Sequence, residues 1–222
     1  MKKKLLIIIA CFIVLLSGCS PHLVGEKKAK EVGLALINLA FDVNETDAVV
    51  EYVEYASENS ETENAEQKSD APLSRIYSIT VKDNHTGEDL YYAQVSATTG
   101  FAYSADRSNE TLSPLTDAQL QQSKELSQLP WGEEEMMNRI YESKPAQTVY
   151  EWVTARFEKQ DQVMGTDDGS MEGAFNGTHR VLMDYLVTFE NGAVYVVGIT
   201  WPTMEITRVE ILSQPVMKGE QP

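Results

Sequence analysis

Val181-Leu182-Met183-Asp184-Tyr185-Leu186-Val187-Thr188-Phe189 decides the fold. Val181, Met183, Tyr185, Val187 and Phe189 alternate strictly, the period of a strand with one buried face. Glu190-Asn191-Gly192-Ala193 then reads as a turn, residues 194–201 as the returning strand and residues 205–212 as one more. The same order occurs earlier in the chain. Tyr77-Ser78-Ile79-Thr80-Val81 matches Tyr185-Leu186-Val187-Thr188-Phe189 in its aromatic, β-branched and threonine positions. Tyr91, Ala93, Val95 and Ala97 fall where Tyr195, Val197, Ile199 and Trp201 fall in the second copy. Each run meets a turn, Thr98-Thr99-Gly100 or Pro202-Thr203-Met204, before a last strand. A helical pattern precedes each copy. Ala29, Val32, Leu36, Leu39 or Ala40, and Val43 recur at spacings of three and four. After Pro145, so do Ala146, Val149, Val153 and Phe157, with Trp152 beside them. The expectation is an α+β fold of two tandem units, each a helix packed on an antiparallel β-meander sheet, joined by a helical connector. The units are residues 26–107 and 144–215, the connector 108–143, and a frayed tail 216–222.

The remaining stretches fill in this plan. Residues 49–55, rich in Val and Tyr, read as a strand, and residues 75–82 as a half-buried strand. Between them, residues 56–71 carry Glu58, Glu61, Glu63, Glu66 and Asp70 with almost nothing to bury, which reads as a mobile, solvated loop. Residues 83–89 are acidic around a glycine but lack the spacing of a calcium loop, so they read as a hairpin turn. Thr116 and Gln119 form a capping box that starts a helix. Pro130-Trp131-Gly132 interrupts, and Met136, Met137, Ile140 and Tyr141 give the next helix an apolar side. Residues 165–177 contain Asp167-Asp168-Gly169 and no phosphate-loop lysine, and read as a long loop or irregular hairpin.

Tyr91-Tyr92-Ala93-Gln94-Val95-Ser96-Ala97-Thr98-Thr99-Gly100-Phe101 resembles the closing hairpin of the PepSY family. There a strand reaches an Asp-x-x-Thr-Gly turn and leaves through a hydrophobic strand. Here Ser96 and Ala97 stand near the family's Asp, and Pro202-Thr203-Met204 replaces the Thr-Gly turn in the second half. Such domains occur in propeptides of thermolysin-type peptidases and in accessory proteins of cell-wall hydrolases. The resemblance therefore implies inhibition, chaperoning or partner binding, with no catalytic residues to carry over.

Lys2, Lys3 and Lys4 precede twelve apolar residues, 5–16. As a helix this run reaches about 18 Å, short of a hydrocarbon core of about 30 Å, so it reads as a cleaved export signal. Leu16-Ser17-Gly18-Cys19 resembles a bacterial lipobox. That resemblance implies cleavage between Gly18 and Cys19, with residues 1–18 as signal peptide and a diacylglycerol, with palmitate-type chains, on the Cys19 sulfur. Each buried methylene contributes about 0.8 kcal/mol, so two chains hold firmly where one is marginal. Residues 19–25 form the lipidated cysteine and a short tether, whose last six residues span at most about 20 Å.

Removing residues 1–18 takes three of the 18 Lys and Arg and none of the 34 Asp and Glu, leaving 15 against 34, a formal charge of −19. Such a surface repels nucleic acid, and no nucleic-acid partner is expected. Cys11 leaves with the signal and Cys19 carries the lipid, so neither a disulfide nor a free thiol is expected. The sequons at Asn44, Asn84, Asn109 and Asn176 read as turn chemistry. His22, His85 and His179 lie in the tether and in loops, outside any His-Glu-x-x-His pattern, and no Gly-x-Ser-x-Gly elbow occurs. No enzyme activity, cofactor or metal site is expected.

These observations imply a lipid-anchored protein on the extracytoplasmic face of a bacterial cell membrane, with a Gram-positive envelope favoured. Its expected role is a non-catalytic protein-binding or inhibitory module, with a peptidase or cell-wall hydrolase as partner. The alternative is a receptor for a small ligand or cation in the groove between the two units. The aromatic residues Tyr91, Tyr103, Trp131, Tyr195 and Trp201 form the candidate binding surface. Replacement Cys19→Ser is expected to release most of the protein from the membrane fraction, and unchanged fractionation would refute the anchor.

Overall fold

The computed structural model describes residues 23–55, 74–130, 132–157, 163–172 and 178–213. The first half consists of α1 (Glu26–Phe41), β1 (Val49–Tyr55), β2 (Ser74–Lys82), β3 (Asp89–Ser96) and β4 (Ala102–Arg107). A 3-10 turn (Asn109–Thr111), α2 (Asp117–Leu126) and α3 (Glu134–Tyr141) follow. The second half consists of α4 (Pro145–Arg156), β5 (Val163–Glu172), β6 (Val181–Phe189), β7 (Val194–Trp201) and β8 (Glu205–Ser213). The class is α+β, as the alternation implied. The signal, the lipobox with Gly18 and Cys19, the acidic loop 56–71, Trp131 and the tail 216–222 lie outside the described residues.

All eight strands join one antiparallel sheet in the order β1-β2-β3-β4-β8-β7-β6-β5. The last strand of each meander lies at the centre, so the halves meet where β4 pairs with β8. That seam has only three residue pairs, Ser104 with Glu210, Ala105 with Val209 and Asp106 with Arg208. Side chains therefore have to reinforce it. On the inner face, Ile79, Ala93, Ala105, Val209, Val197 and Tyr185 form one row across six strands, and all are buried. Burying a Val or Ile side chain contributes about 1.5–3 kcal/mol, so this row helps hold the halves in one register. Both α1 and α4 pack on this inner face, with Ile37 and Ala40 of α1 and Val149 and Val153 of α4 fully covered.

Helix α1 buries Ala29, Leu36 and Ala40 of the expected stripe, so of the two alternatives Ala40 turns inward and Leu39 is 44% exposed; Ile37, outside the stripe, is fully buried as well. Ile37 is drawn in because at Gly33 the helix comes so close to β2 that a Cβ would stand 2.5 Å from Ile79 Cγ1. Ala29, Gly33, Ile37 and Ala40 thus face the sheet, and small Ala93 and Ala105 lie in it. The helix ends at Asp42, whose φ of 58° is left-handed, before Val43 is reached. The capping box of α2 is formed: the Thr116 N–H donates to Gln119 Oε1 at 3.0 Å, and the Gln119 N–H to Thr116 Oγ1 at 3.3 Å. Met136 and Ile140 are buried in the core rather than presented to a partner.

Of the two forms expected for the glycine-rich stretch, residues 163–172 take the irregular hairpin. They form strand β5, which pairs with β6 through two register shifts, one reaching Gly165 and one skipping Gly169 and Ser170. Glycines and paired aspartates suggest a loop, but the open backbone edge of β6 supplies hydrogen bonds that such a segment meets by bulging.

Alanine usually gains about 1 kcal/mol over glycine in a helix. Gly33→Ala is nevertheless expected to lower stability to urea by roughly 1–2 kcal/mol through crowding against Ile79. In an Ile79→Ala background the same change should be neutral or stabilising; a gain in both backgrounds would refute the close approach.

Candidate functional site

The seam carries an organised group of charged side chains on each face of the sheet. On the outer face, Arg208 stands opposite Asp106 on one side and opposite Gly198 on the other, with Asp184 paired beyond Gly198. Because Gly198 has no side chain, the guanidinium reaches across it. Its Nη1 lies 3.7 Å from Asp184, its Nε 3.9 Å from Asp106 and its Nη2 2.5 Å from Glu210. A Cβ on Gly198 would meet Arg208 Cβ, Asp184 Oδ1 and Thr207 Oγ1, each at 3.0 Å. Asp106, Asp184 and Arg208, with Arg107, Asn109, Leu182 and Thr207, line an open cleft of about 200 Å³. Burial raises the Asp106 carboxyl above the usual aspartate range; Arg208 works against this, while Glu210 and Asp184 add to it. Three carboxylates share one guanidinium, so the cleft already contains its own cation.

On the inner face, Glu205 is the common acceptor. Its carboxylate takes hydrogen bonds from the Ser113 N–H at 3.0 Å and the Ser113 hydroxyl at 2.9 Å. Arg180 lies 3.6 Å and Arg107 3.9 Å away. Arg180, itself 9% exposed, also donates to Thr203 Oγ1 at 2.8 Å and to the Ser113 carbonyl. Burial works to raise the Glu205 carboxyl. The Ser113 N–H, the Thr203 and Ser113 hydroxyls and Arg107 outweigh it and hold the group below the usual glutamate range. This network ties the end of β4, the connector and the starts of β6 and β8 together.

Above it runs a groove between α1 and α4, of about 210 Å³ and open to solvent. Phe41 and Arg107 form one wall, Trp152 and Arg156 the other, with Met204 and Ile206 between. Arg107 lies over the Phe41 ring at 5.8 Å, and Arg156 over the Trp152 ring at 5.2 Å. The Arg156 Nε donates to the Leu39 carbonyl at 3.0 Å, a contact from one half to the other. Phe157 packs against Tyr195 with the ring centroids 5.2 Å apart and the planes tilted by 35°, which fixes the end of α4 on the sheet.

The expected aromatic surface is not assembled. Tyr91, Tyr195 and Trp201 are core side chains, 7%, 3% and 0% exposed. They occupy inward positions of β3 and β7, so the alternation that marks the strands also turns these rings inside. Phe41 covers Tyr91 at 5.5 Å, and Trp201 donates its indole N–H to Ser143 Oγ at 3.3 Å. Tyr103 is half-buried near Tyr55 and Glu210, with burial raising its hydroxyl pKa first and these neighbours adding to it. Trp131 lies outside the described residues. The sequence reading missed Asp106, Arg180, Asp184, Glu205 and Arg208. Their signal was faint: charged residues in or beside otherwise apolar strands, ordinary at a solvated face.

No family model and no curated protein matches this chain. A similar solved structure is the Bacillus megaterium YpeB C-terminal domain, 10% identical, covering 90% of this chain and 70% of that one, with a TM-score of 0.42. The chemistry of the seam has to be read from this chain's own residues.

The two carboxylates give opposite pH signatures. Glu205, with its lowered pKa, contributes stability that is present above the usual glutamate range and lost as pH falls through its folded value. Asp106, with its raised pKa, favours the fold more as pH falls through its folded value. Glu205→Gln is expected to cost about 2 kcal/mol at pH 7, because two arginines lose their counter-charge, with the difference shrinking in acid. Asp106→Asn should leave the melting temperature at pH 7 unchanged or raised. Equal losses for both replacements would contradict this assignment.

Proposed function

We propose that this chain is a lipid-anchored extracytoplasmic module, built from two tandem PepSY-like units, that binds and regulates an envelope protein without catalysing a reaction. The observation that carries the reading is the form of the seam. Sites for small molecules usually enclose roughly 300–1,000 Å³. The two seam clefts, about 200 and 210 Å³ and open, suit one or two side chains of a docked protein instead. The outer face adds exposed apolar side chains at Val49, Tyr55, Leu182 and Leu212, 54%, 51%, 39% and 53% exposed. Anchoring through Cys19 by a tether of a few residues would confine the search for a partner to the membrane surface. A peptidase or a cell-wall hydrolase is the partner class that the PepSY resemblance implies.

Crosslinking of the lipidated protein in its own membranes, followed by identification of the attached chains, tests this reading. One dominant peptidase or wall hydrolase is expected. Absence of any specific attachment, across several crosslinker lengths, would overturn it.

A further inference from the structure

We propose that the groove between α1 and α4 is the recognition site, and that it takes a short acidic segment of the partner carrying an aromatic or aliphatic side chain. This rests on the protein-binding reading above and adds to it the place and chemistry of the contact. Three observations combine. First, the floor and walls offer apolar surface from both halves, from Phe41 on α1, Trp152 on α4, and Met204 and Ile206 leading into β8. Second, Arg156 has no carboxylate within ion-pair distance among the described residues, although the chain carries 34 acidic residues. Its Nε is held by the Leu39 carbonyl and its Cζ lies over the Trp152 ring, and among the described residues no carboxylate engages the two terminal nitrogens, each of which can donate. Third, the acidic residue lining the groove, Glu205, is already neutralised by Arg107 and Arg180. The groove is thus locally positive on a chain of formal charge −16.

Charge complementarity selects the occupant. A carboxylate would meet Arg156 in a partly desolvated setting, where charge-assisted hydrogen bonds are strong and an aromatic neighbour already orients the guanidinium. A side chain of the same segment would lie on Phe41, Trp152 and Met204. A basic segment would face Arg107 and Arg156 and be rejected. Since the groove walls come from separate halves, the occupied groove would also bridge them above the short β4–β8 seam.

The test uses the full chain in detergent and a synthetic peptide of alternating glutamate and phenylalanine, with its glutamine counterpart as control. The Trp152 indole N–H signal, assigned by Trp152→Phe, is followed by NMR. A shift with the glutamate peptide alone is expected, and Arg156→Gln should weaken that binding about ten-fold, the loss of one charge-assisted contact. Thr148→Glu, a charge change on an α4 surface position that lines the groove, should abolish it without touching the α1 contact. Equal response to both peptides, or unchanged binding in both variants, overturns the proposal. So does a shift caused by neutralising Glu58, Glu61, Glu63 and Glu66 with no peptide added, because the occupant would then be the chain's own acidic segment. If crosslinking captures a partner that Arg156→Gln and Thr148→Glu still bind normally, this groove is wrong while the protein-binding reading stands.

Discussion

The pairing of β4 with β8 is the constraint on which the rest of the molecule depends. It has three residue pairs, fewer than the joints within either meander, and yet it carries the whole sheet from one half to the other. Its register is specified from both faces at once. Ala105 and Val209 point inward and belong to the buried row that runs from Ile79 to Tyr185. Their neighbours Asp106 and Arg208 point outward into the ionic cluster. A slip of either strand by one residue would invert that strand, sending Asp106 into the core and Ala105 into water, or Arg208 into the core and Val209 into water. The apolar row and the charge cluster therefore penalise the same error, and a short joint becomes a well-defined one.

The two faces of the seam solve different electrostatic problems. Glu205 is a carboxylate with donors on every side, from Ser113, Thr203, Arg107 and Arg180. Asp106 sits among other carboxylates with one shared guanidinium. The first arrangement fastens the connector to both meanders; the second keeps an open, strongly charged cleft at the surface. Between α1 and α4, among the described residues, the fastening is the hydrogen bond that Arg156 Nε donates to the Leu39 carbonyl. Each helix lies on its own meander, and the meanders share the sheet, so a groove is left where the helices do not meet. That groove is a consequence of joining the halves by strands rather than by helices.

Several features could be read along the chain because they depend on neighbours in sequence. Alternation placed β2, β3, β6 and β7, and the Thr116–Gln119 box placed the start of α2. Strand β1 does not alternate cleanly, in keeping with its place at the sheet edge, where one side has no neighbouring strand. What each stretch left open was closed by distant contacts. Leu39 and Ala40 were equal choices for the stripe, and the approach of Gly33 to Ile79 turns Ala40 and Ile37 inward. The paired form of β5 is set by the edge it joins, not by its own composition. Tyr91, Tyr195 and Trp201 were legible as strand residues, and their inward parity was available in the same pattern. The charged seam was not legible, since Asp106, Asp184 and Arg208 are brought together from three strands and nothing in a single strand names their partners.

By itself the sequence determined the α+β class, the strands whose side chains alternate and the start of α2. Those rest on interactions over a few residues: side-chain periodicity, capping and turn chemistry. The tertiary structure alone decided that the two halves fuse through their last strands, how closely α1 approaches the sheet, and which charges meet at the seam. Those depend on contacts between residues far apart in the chain, where packing distance and register, rather than local preference, set the energy.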